Sequence, residues 1–190
     1  MPTETVVFKA YYWGSEFDYS DFEYMRMDAI VAEKLTWSDK IVDIYGYCGT
    51  GMINEAMRNG DVEYKASPRG HRYVHKTTAD EHGPLVVMNK LSGTQKLQYA
   101  LEMSEALAIL HSYPGGVIVH DDIQLGQFLL SDDGRIKLND FNRAEIMLWN
   151  EKDEEYCRYR NGEAHGMVSP IKIRSCVGVC SDLKSISRTL

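Results

Sequence analysis

No run of apolar residues in this 190-residue chain reaches the roughly 18 needed to cross a membrane. The first residues, MPTETVVF, lack the basic-then-apolar pattern of a secretory leader. Cysteine is scarce: Cys48, Cys157, Cys176 and Cys180 are too few to staple a chain of this size. Cys176 and Cys180 are spaced C-x3-C, but no second pair is arranged to complete a zinc site. Basic charge is also short, with 21 Lys and Arg against 28 Asp and Glu, a net charge of -7. That balance argues against a general nucleic-acid or anionic-membrane surface. Together these absences imply a reduced chain in the cytosol or nucleus.

What is present is an ordinary globular composition, 44% apolar and 26% charged, in a chain long enough for one large domain or two small lobes. Residues 5–10, TVVFKA, read as a strand. Residues 20–35 read as a helix, opened by a capping box from Ser20 to Glu23. Residues 41–47 and 51–57 are strand candidates. Residues 58–83 are polar and loop-rich, with one short helix expected after Asp61. His71 and His75 stand four apart there, but no helical apolar period surrounds them to make a metal site. Residues 92–111 are the clearest helix, capped by Ser92 and Gln95. Its apolar face is expected along Leu97, Ala100, Leu101, Ser104, Leu107 and Ala108, widened by Met103, Ala106 and Leu110. Residues 145–170 look like an exposed acidic loop. The last twenty residues change character, with four basic residues against one acidic.

The chemistry concentrates in VIVHDDIQLGQFLL, residues 117–130, and in the segment that follows. An apolar run leads into His120, Asp121 and Asp122. A polar loop and a β-hairpin signal around Ser131-Asp132-Asp133-Gly134 come next, then a further carboxylate, Asp140. Two carboxylates at the mouths of apolar strands, with an amide between them, suit metal-assisted phosphate chemistry. Mg²⁺ takes oxygen ligands and is held by one or two carboxylates plus substrate phosphates. Phosphoryl transfer also needs a carboxylate to orient the attacking hydroxyl and a cation for the nucleotide phosphates. Asp122, Asp140 and Lys9 are suited to those roles.

These residues, in this order, resemble the eukaryotic protein kinases. Val6-Val7-Phe8-Lys9 is similar to the family's V-A-x-K strand, and the helix after it to the αC helix. His120-Asp121-Asp122 stands where the family has His-Arg-Asp, and Asp140-Phe141-Asn142 where it has Asp-Phe-Gly. The resemblance covers roughly residues 5–170. It implies an α+β fold: a partial small lobe and hinge in residues 1–57, and a partial, mainly helical large lobe in residues 58–170. An atypical basic tail fills residues 171–190. It implies ATP and Mg²⁺ as cofactors and a protein substrate or partner, with no nucleic acid beyond the nucleotide and no membrane. Lys9 would pair the α/β-phosphates, Asp28 would take the place of the αC Glu, and Glu55, Ala56 and Met57 would form the adenine-binding hinge. Asp122 would be the catalytic base with Gln124 beside it. Asp140 and Gln127 would be the metal ligands.

The chain departs from the family pattern at several of these positions. Asp121 replaces the Arg that can anchor a phosphorylated activation loop. Gln124 replaces a Lys that stabilises the transferring phosphoryl group, a contact worth on the order of 10²–10³ in rate. Gln127 replaces Asn and is one methylene longer, and Asn142 replaces Gly with a side chain that tolerates positive φ. No G-x-G-x-x-G occurs, only eight residues precede Lys9, and Ser169-Pro170 is followed by Ile171 where the family has Glu. The expectation is a kinase-derived chain truncated at both ends, with apolar surface left open for association. Phosphoryl transfer to protein Ser or Thr would be weak or lost. A pseudokinase binding module and a small-molecule kinase of the aminoglycoside-phosphotransferase type are the alternatives.

Overall fold

A computed structural model describes residues 5–12, 14, 16–66 and 90–157. The His71/His75 pair, Cys176 and Cys180, Ser169-Pro170 and the basic tail lie outside them. The described elements run β1 (Val6–Ala10), α1 (Tyr19–Leu35), β2 (Ile44–Cys48), β3 (Gly51–Glu55), α2 (Val62–Ala66) and α3 (Gly93–His111). They continue with β4 (Val117–Val119), β5 (Phe128–Leu130), β6 (Ile136–Leu138), β7 (Glu145–Met147), β8 (Trp149–Asn150) and β9 (Glu155–Tyr156).

Strands β1, β3 and β2 form an antiparallel sheet in that order. The register sets Val7 opposite Asn54 and Lys9 opposite Met52. Residues two apart share a face of a strand, so Val7, Lys9, Met52 and Asn54 lie on one side. Helix α1 packs beside this sheet, burying Asp28, Ala29, Val31, Ala32 and Leu35. Its N-terminus differs from expectation. The capping box is formed by Asp18 and Asp21, not by Ser20 and Glu23. The Asp18 carboxylate accepts from the Asp21 N–H at 3.0 Å, and the Asp21 carboxylate accepts from the Asp18 N–H at 3.1 Å. Carboxylates hold these orphan N–H groups more strongly and also favour the positive end of the helix dipole. Ser20 lies inside the first turn, and Glu23 pairs with Arg26 at 2.6 Å.

The strand expected from residue 41 starts three residues later, because Ile41 and Val42 pair elsewhere. Ile41 forms a parallel bridge with Leu138, Val42 N–H donates to Leu138 O at 3.0 Å, and Leu138 N–H donates to Lys40 O at 2.8 Å. This seam ties the segment after α1 to the β5–β6 hairpin. The hairpin itself is as expected, with Phe128 opposite Leu138 and Leu130 opposite Ile136, and Gly134 turns it at φ +82°. The short helix expected after Asp61 is α2.

Helix α3 begins at the expected capping box of Ser92 and Gln95. Its buried face is turned from the one expected. Glu102, Ala106 and Leu110 are buried, while Leu97 and Leu101 are 74% and 53% exposed. The physical reason is Glu102. Its carboxylate accepts the Ile136 N–H at 2.7 Å and the Gln98 amide at 2.6 Å, so one acidic side chain is stable inside and orients the helix toward β6. Of the exposed loop expected over residues 145–170, the acidic stretch 151–156 is exposed, but residues 145–147 form β7, which pairs with β4, and β8 pairs with β9. Gly116 permits the β4–β7 pairing. It has φ +128°, and a Cβ there would stand 2.6 Å from Met147 O.

The core is continuous. Val31, Ala32 and Leu35 of α1 meet Ile41, Val62, Ala106, Leu110, Ile118, Phe128, Leu130, Ile136, Leu138 and Phe141. Each of the Val, Leu, Ile and Phe side chains contributes roughly 1.5–3 kcal/mol through burial. The polar loops at 120–127 and 139–143 are therefore held between rigid apolar runs.

Candidate active site

Lys9 projects from β1 toward two carboxylates. Its Nζ lies 2.6 Å from Asp28 Oδ2 and 2.5 Å from Asp140 Oδ1. Asp28 is 2% exposed and uses both oxygens, since Oδ1 accepts the Phe141 N–H at 2.8 Å. One side chain of α1 thus holds both the strand cation and the backbone next to Asp140. The shorter Asp in place of Glu is accommodated because α1 sits close enough for direct contact. Burial works against the Lys9 charge, but attraction from Asp28 and Asp140 outweighs it and raises the ammonium above its ordinary range.

Asp140 has φ +65° and Asp121 has φ +61°, both in the left-handed region. Asp is among the residues that adopt this conformation most readily, at a cost of about 1–2 kcal/mol. Asn142 does not share it, so the φ > 0 argument for that position does not apply in this structure. Its side-chain Oδ1 is instead buried without a hydrogen-bond partner.

The second group of side chains centres on Asp122. Its Oδ2 accepts from Gln127 Nε2 at 2.8 Å and from Gln124 Nε2 at 3.2 Å. The 3-10 turn Leu125–Gln127 positions Gln127 and buries it. Gln127 O accepts the Asn139 N–H at 3.0 Å, which joins the loop to the segment carrying Asp140. His120 makes the second joint. Its Nε2 meets Asn139 O at 3.0 Å, and its Nδ1 accepts the Asp122 N–H at 3.3 Å. These partners require Nε2 to carry the proton and Nδ1 to be bare. Burial lowers the imidazole pKa, in keeping with a neutral ring, against weaker opposing effects of the Asn139 carbonyl and nearby carboxylates. The ring also packs on Phe141 at 5.3 Å between centroids.

Lys9, Asp28 and Asp140 are therefore in direct contact, as are Asp122, Gln124 and Gln127, and Asn139 with His120 links the two groups. Glu55 ends β3, and its N–H donates to Asp43 O at 2.9 Å. Its carboxylate accepts from Lys137 Nζ at 2.7 Å. Ala56 and Met57 follow in irregular backbone, just beyond the last β1–β3 pair, Val6 with Glu55.

Two features of this region were not read from the sequence. Arg143 donates from Nε and Nη2 to Asp121 Oδ2 at 3.2 and 2.9 Å, and its Nη1 stands 4.0 Å from Asp122 Oδ1. The signal was available: an acid in place of a cation calls for a cation nearby. Asn54, one residue before Glu55, is 9% exposed, and its Oδ1 is buried without a hydrogen-bond partner.

A test of fit to a metal nucleotide rests on this geometry. Asp28, Asp121, Asp122 and Asp140 face Lys9 and Arg143, leaving carboxylate charge in excess. No cluster of three or more His, Cys, Asp or Glu able to hold a metal occurs among the described residues. That combination fits a Mg²⁺ ion brought and shared by phosphates rather than one caged by protein alone. No helix among the described residues is long and apolar enough to cross a membrane.

Comparison with known proteins agrees with this geometry. The family model for protein tyrosine and serine/threonine kinases matches residues 4–169. Chitin elicitor receptor kinase 1 of Physcomitrium patens is 26% identical over 109 residues, 56% of this chain and 15% of that protein. Calmodulin-binding receptor-like cytoplasmic kinases 1 and 3 of Arabidopsis thaliana are 31% identical over 75 residues and 35% over 72. These stretches cover 40% and 38% of this chain, and 16% and 14% of those proteins. The chain spans less than a fifth of the length of these relatives. With the family model covering most of its residues, the chain belongs to the protein tyrosine and serine/threonine kinase family.

Proposed function

We propose that the domain binds Mg-ATP and transfers the γ-phosphate slowly to a Ser or Thr hydroxyl of a protein. The observation that carries the reading is Lys9 bridging Asp28 and Asp140, beside an Asp122 carboxylate held by two amides. Lys9 would meet the nucleotide phosphates, and the backbone of Glu55, Ala56 and Met57 would meet the base. Asp140 and the amide oxygen of Gln127 would hold Mg²⁺, which supplies neutralising charge at the phosphates when bound. Asp122 would orient the hydroxyl and accept its proton.

The slow rate follows from Gln124. A neutral amide at that position places no cation on the transferring group, a loss of about 10²–10³ in rate. The NH₂ of Gln127 is also committed to Asp122, so only its oxygen can face a cation. These same two amides favour the second reading, a nucleotide-binding pseudokinase that acts through a partner. The family match gives no support to a small-molecule kinase.

A thermal shift with Mg-ATP, followed by γ-phosphate transfer to a generic protein substrate, separates the readings. Stabilisation by Mg-ATP with transfer that Asp122→Asn abolishes supports the enzyme. Stabilisation without transfer supports the binding module. No response to Mg-ATP from the folded chain sinks both.

A further inference from the structure

We propose that Lys137 is a positioning residue for the nucleotide: by binding the Glu55 carboxylate it holds residues 55–57 at a fixed place relative to Asp140. The inference rests on the nucleotide-binding reading above and adds a residue that acts on it through Glu55.

Lys137 lies on β6, three residues before Asp140. Neighbours along a strand point to opposite faces, so Ile136 and Leu138 enter the core and Lys137 points away from them. It is nonetheless only 6% exposed. Its Nζ donates to Glu55 Oε2 at 2.7 Å and stands 3.7 Å from Asp43 Oδ2. Asp43 fixes Glu55 further. The Glu55 N–H donates to Asp43 O at 2.9 Å, and the Asp43 N–H donates to Glu55 Oε2 at 3.3 Å. Asp43 Oδ1 in turn accepts from Oγ1 of Thr36, the residue that closes α1, at 3.2 Å. The exit of β3 is thus tied by one ammonium to the strand that leads to Asp140. Through Asp43 it is also tied to the end of the helix that carries Asp28.

Stability alone does not call for this pair. A buried ammonium is costly unless it is paired, and an apolar side chain of similar length fills such a place as well or better. What the ion pair adds is direction, because donor and acceptor must meet at one distance. The strand that bears Lys137 is itself pinned. Leu138 N–H donates to Lys40 O at 2.8 Å, and Leu138 O accepts the Val42 N–H at 3.0 Å. In the reading above, the base contacts begin at Glu55 and the metal contacts include Asp140. Lys137 therefore sets the span between the two ends of one ligand. A shift in such a span costs binding and rate without removing any contact residue.

The test is a double-mutant cycle on the full chain with two readouts, the urea midpoint and the dissociation constant for Mg-ATP. The variants are Lys137→Met, Glu55→Gln and the two together, each checked for folding by circular dichroism. Either single change leaves a shielded charge without its partner and should lower the midpoint. The double variant removes both charges, and Gln keeps an acceptor for the Asp43 N–H, so about half or more of the loss should be recovered. Mg-ATP is expected to bind about tenfold more weakly to each single variant and to stay about tenfold weaker in the double variant, because the ion pair that sets the span is still missing. Affinity that follows the midpoint across the variants, or that is unchanged in any folded variant, overturns the positioning role while leaving nucleotide binding intact. Failure of folded wild type to bind Mg-ATP overturns the nucleotide-binding reading, and this inference with it.

Discussion

Arg143 reaches back across 22 residues to hold Asp121 at 2.9 Å, joining the loop after β4 to the segment after Asp140. Asp121 stands where the resemblance to the kinases leads one to expect Arg, and the cation comes instead from the opposite segment. Both side chains are partly shielded from water. A double-mutant cycle over Arg143→Ala and Asp121→Ala should give a coupling of about 1 kcal/mol in urea unfolding. Asp121→Arg alone should destabilise more than Asp121→Ala, because it sets two guanidinium groups together. Equal losses would show that the pair acts only as packing.

Asp28 is the more demanding position. Its two oxygens satisfy Lys9 and the Phe141 N–H inside the core. Asp28→Ala leaves a buried N–H and a cation without their partner and should cost about 3–5 kcal/mol. Asp28→Asn retains an acceptor for Phe141 and should cost about 1–2 kcal/mol. Denaturant midpoints measure both, and equal costs would remove the Phe141 hydrogen bond from the explanation.

His120 predicts a pH dependence of stability. Its folded pKa lies below the ordinary 6.5 because burial disfavours the imidazolium. Below that ordinary value the unfolded chain takes up a proton that the folded chain refuses. The stability is therefore complete above about pH 6.5 and is lost as pH falls through the lowered folded value. Melting temperatures between about pH 8 and 5 should drop on the acid side. The slope should be shallower in His120→Asn.

Gln124 offers a gain of function. It is exposed, and its side-chain amide donates a long hydrogen bond to Asp122. Gln124→Lys should change stability by no more than about 0.5 kcal/mol. It should raise γ-phosphate transfer by at least about tenfold, by placing a cation at the transferring group. Transfer unchanged in this folded variant would remove Gln124 as the cause of a slow rate.

Much of the site was legible as spacing. Lys9, Asp122 and Asp140 stood out by the residue types phosphate chemistry needs, and Asp28 and Gln127 by the resemblance to the kinases. The structure brings Lys9, Asp28 and Asp140 into contact and sets Gln127 on Asp122. The β5–β6 hairpin and the Ser92 cap were readable because turns and caps are local. Asp18 was overlooked as a cap because Ser20-to-Glu23 satisfied the same pattern, and only backbone geometry chose between the two. The face of α3 was misjudged because a helical period counts apolar side chains. It does not see that the Ile136 N–H makes a buried home for Glu102.

The amino-acid order by itself determined the two long helices, the strand carrying Lys9, the β5–β6 hairpin, and which residue types are at hand for phosphate chemistry. These depend on contacts within a turn or two of the chain. The tertiary structure alone decided that Asp28 serves Lys9 and Phe141 together, that Arg143 answers Asp121, and that Asn54 keeps an unpaired oxygen on the face of Lys9. Those depend on which distant donors and acceptors packing brings within 3 Å, and hydrogen bonds of that range leave no period in a sequence.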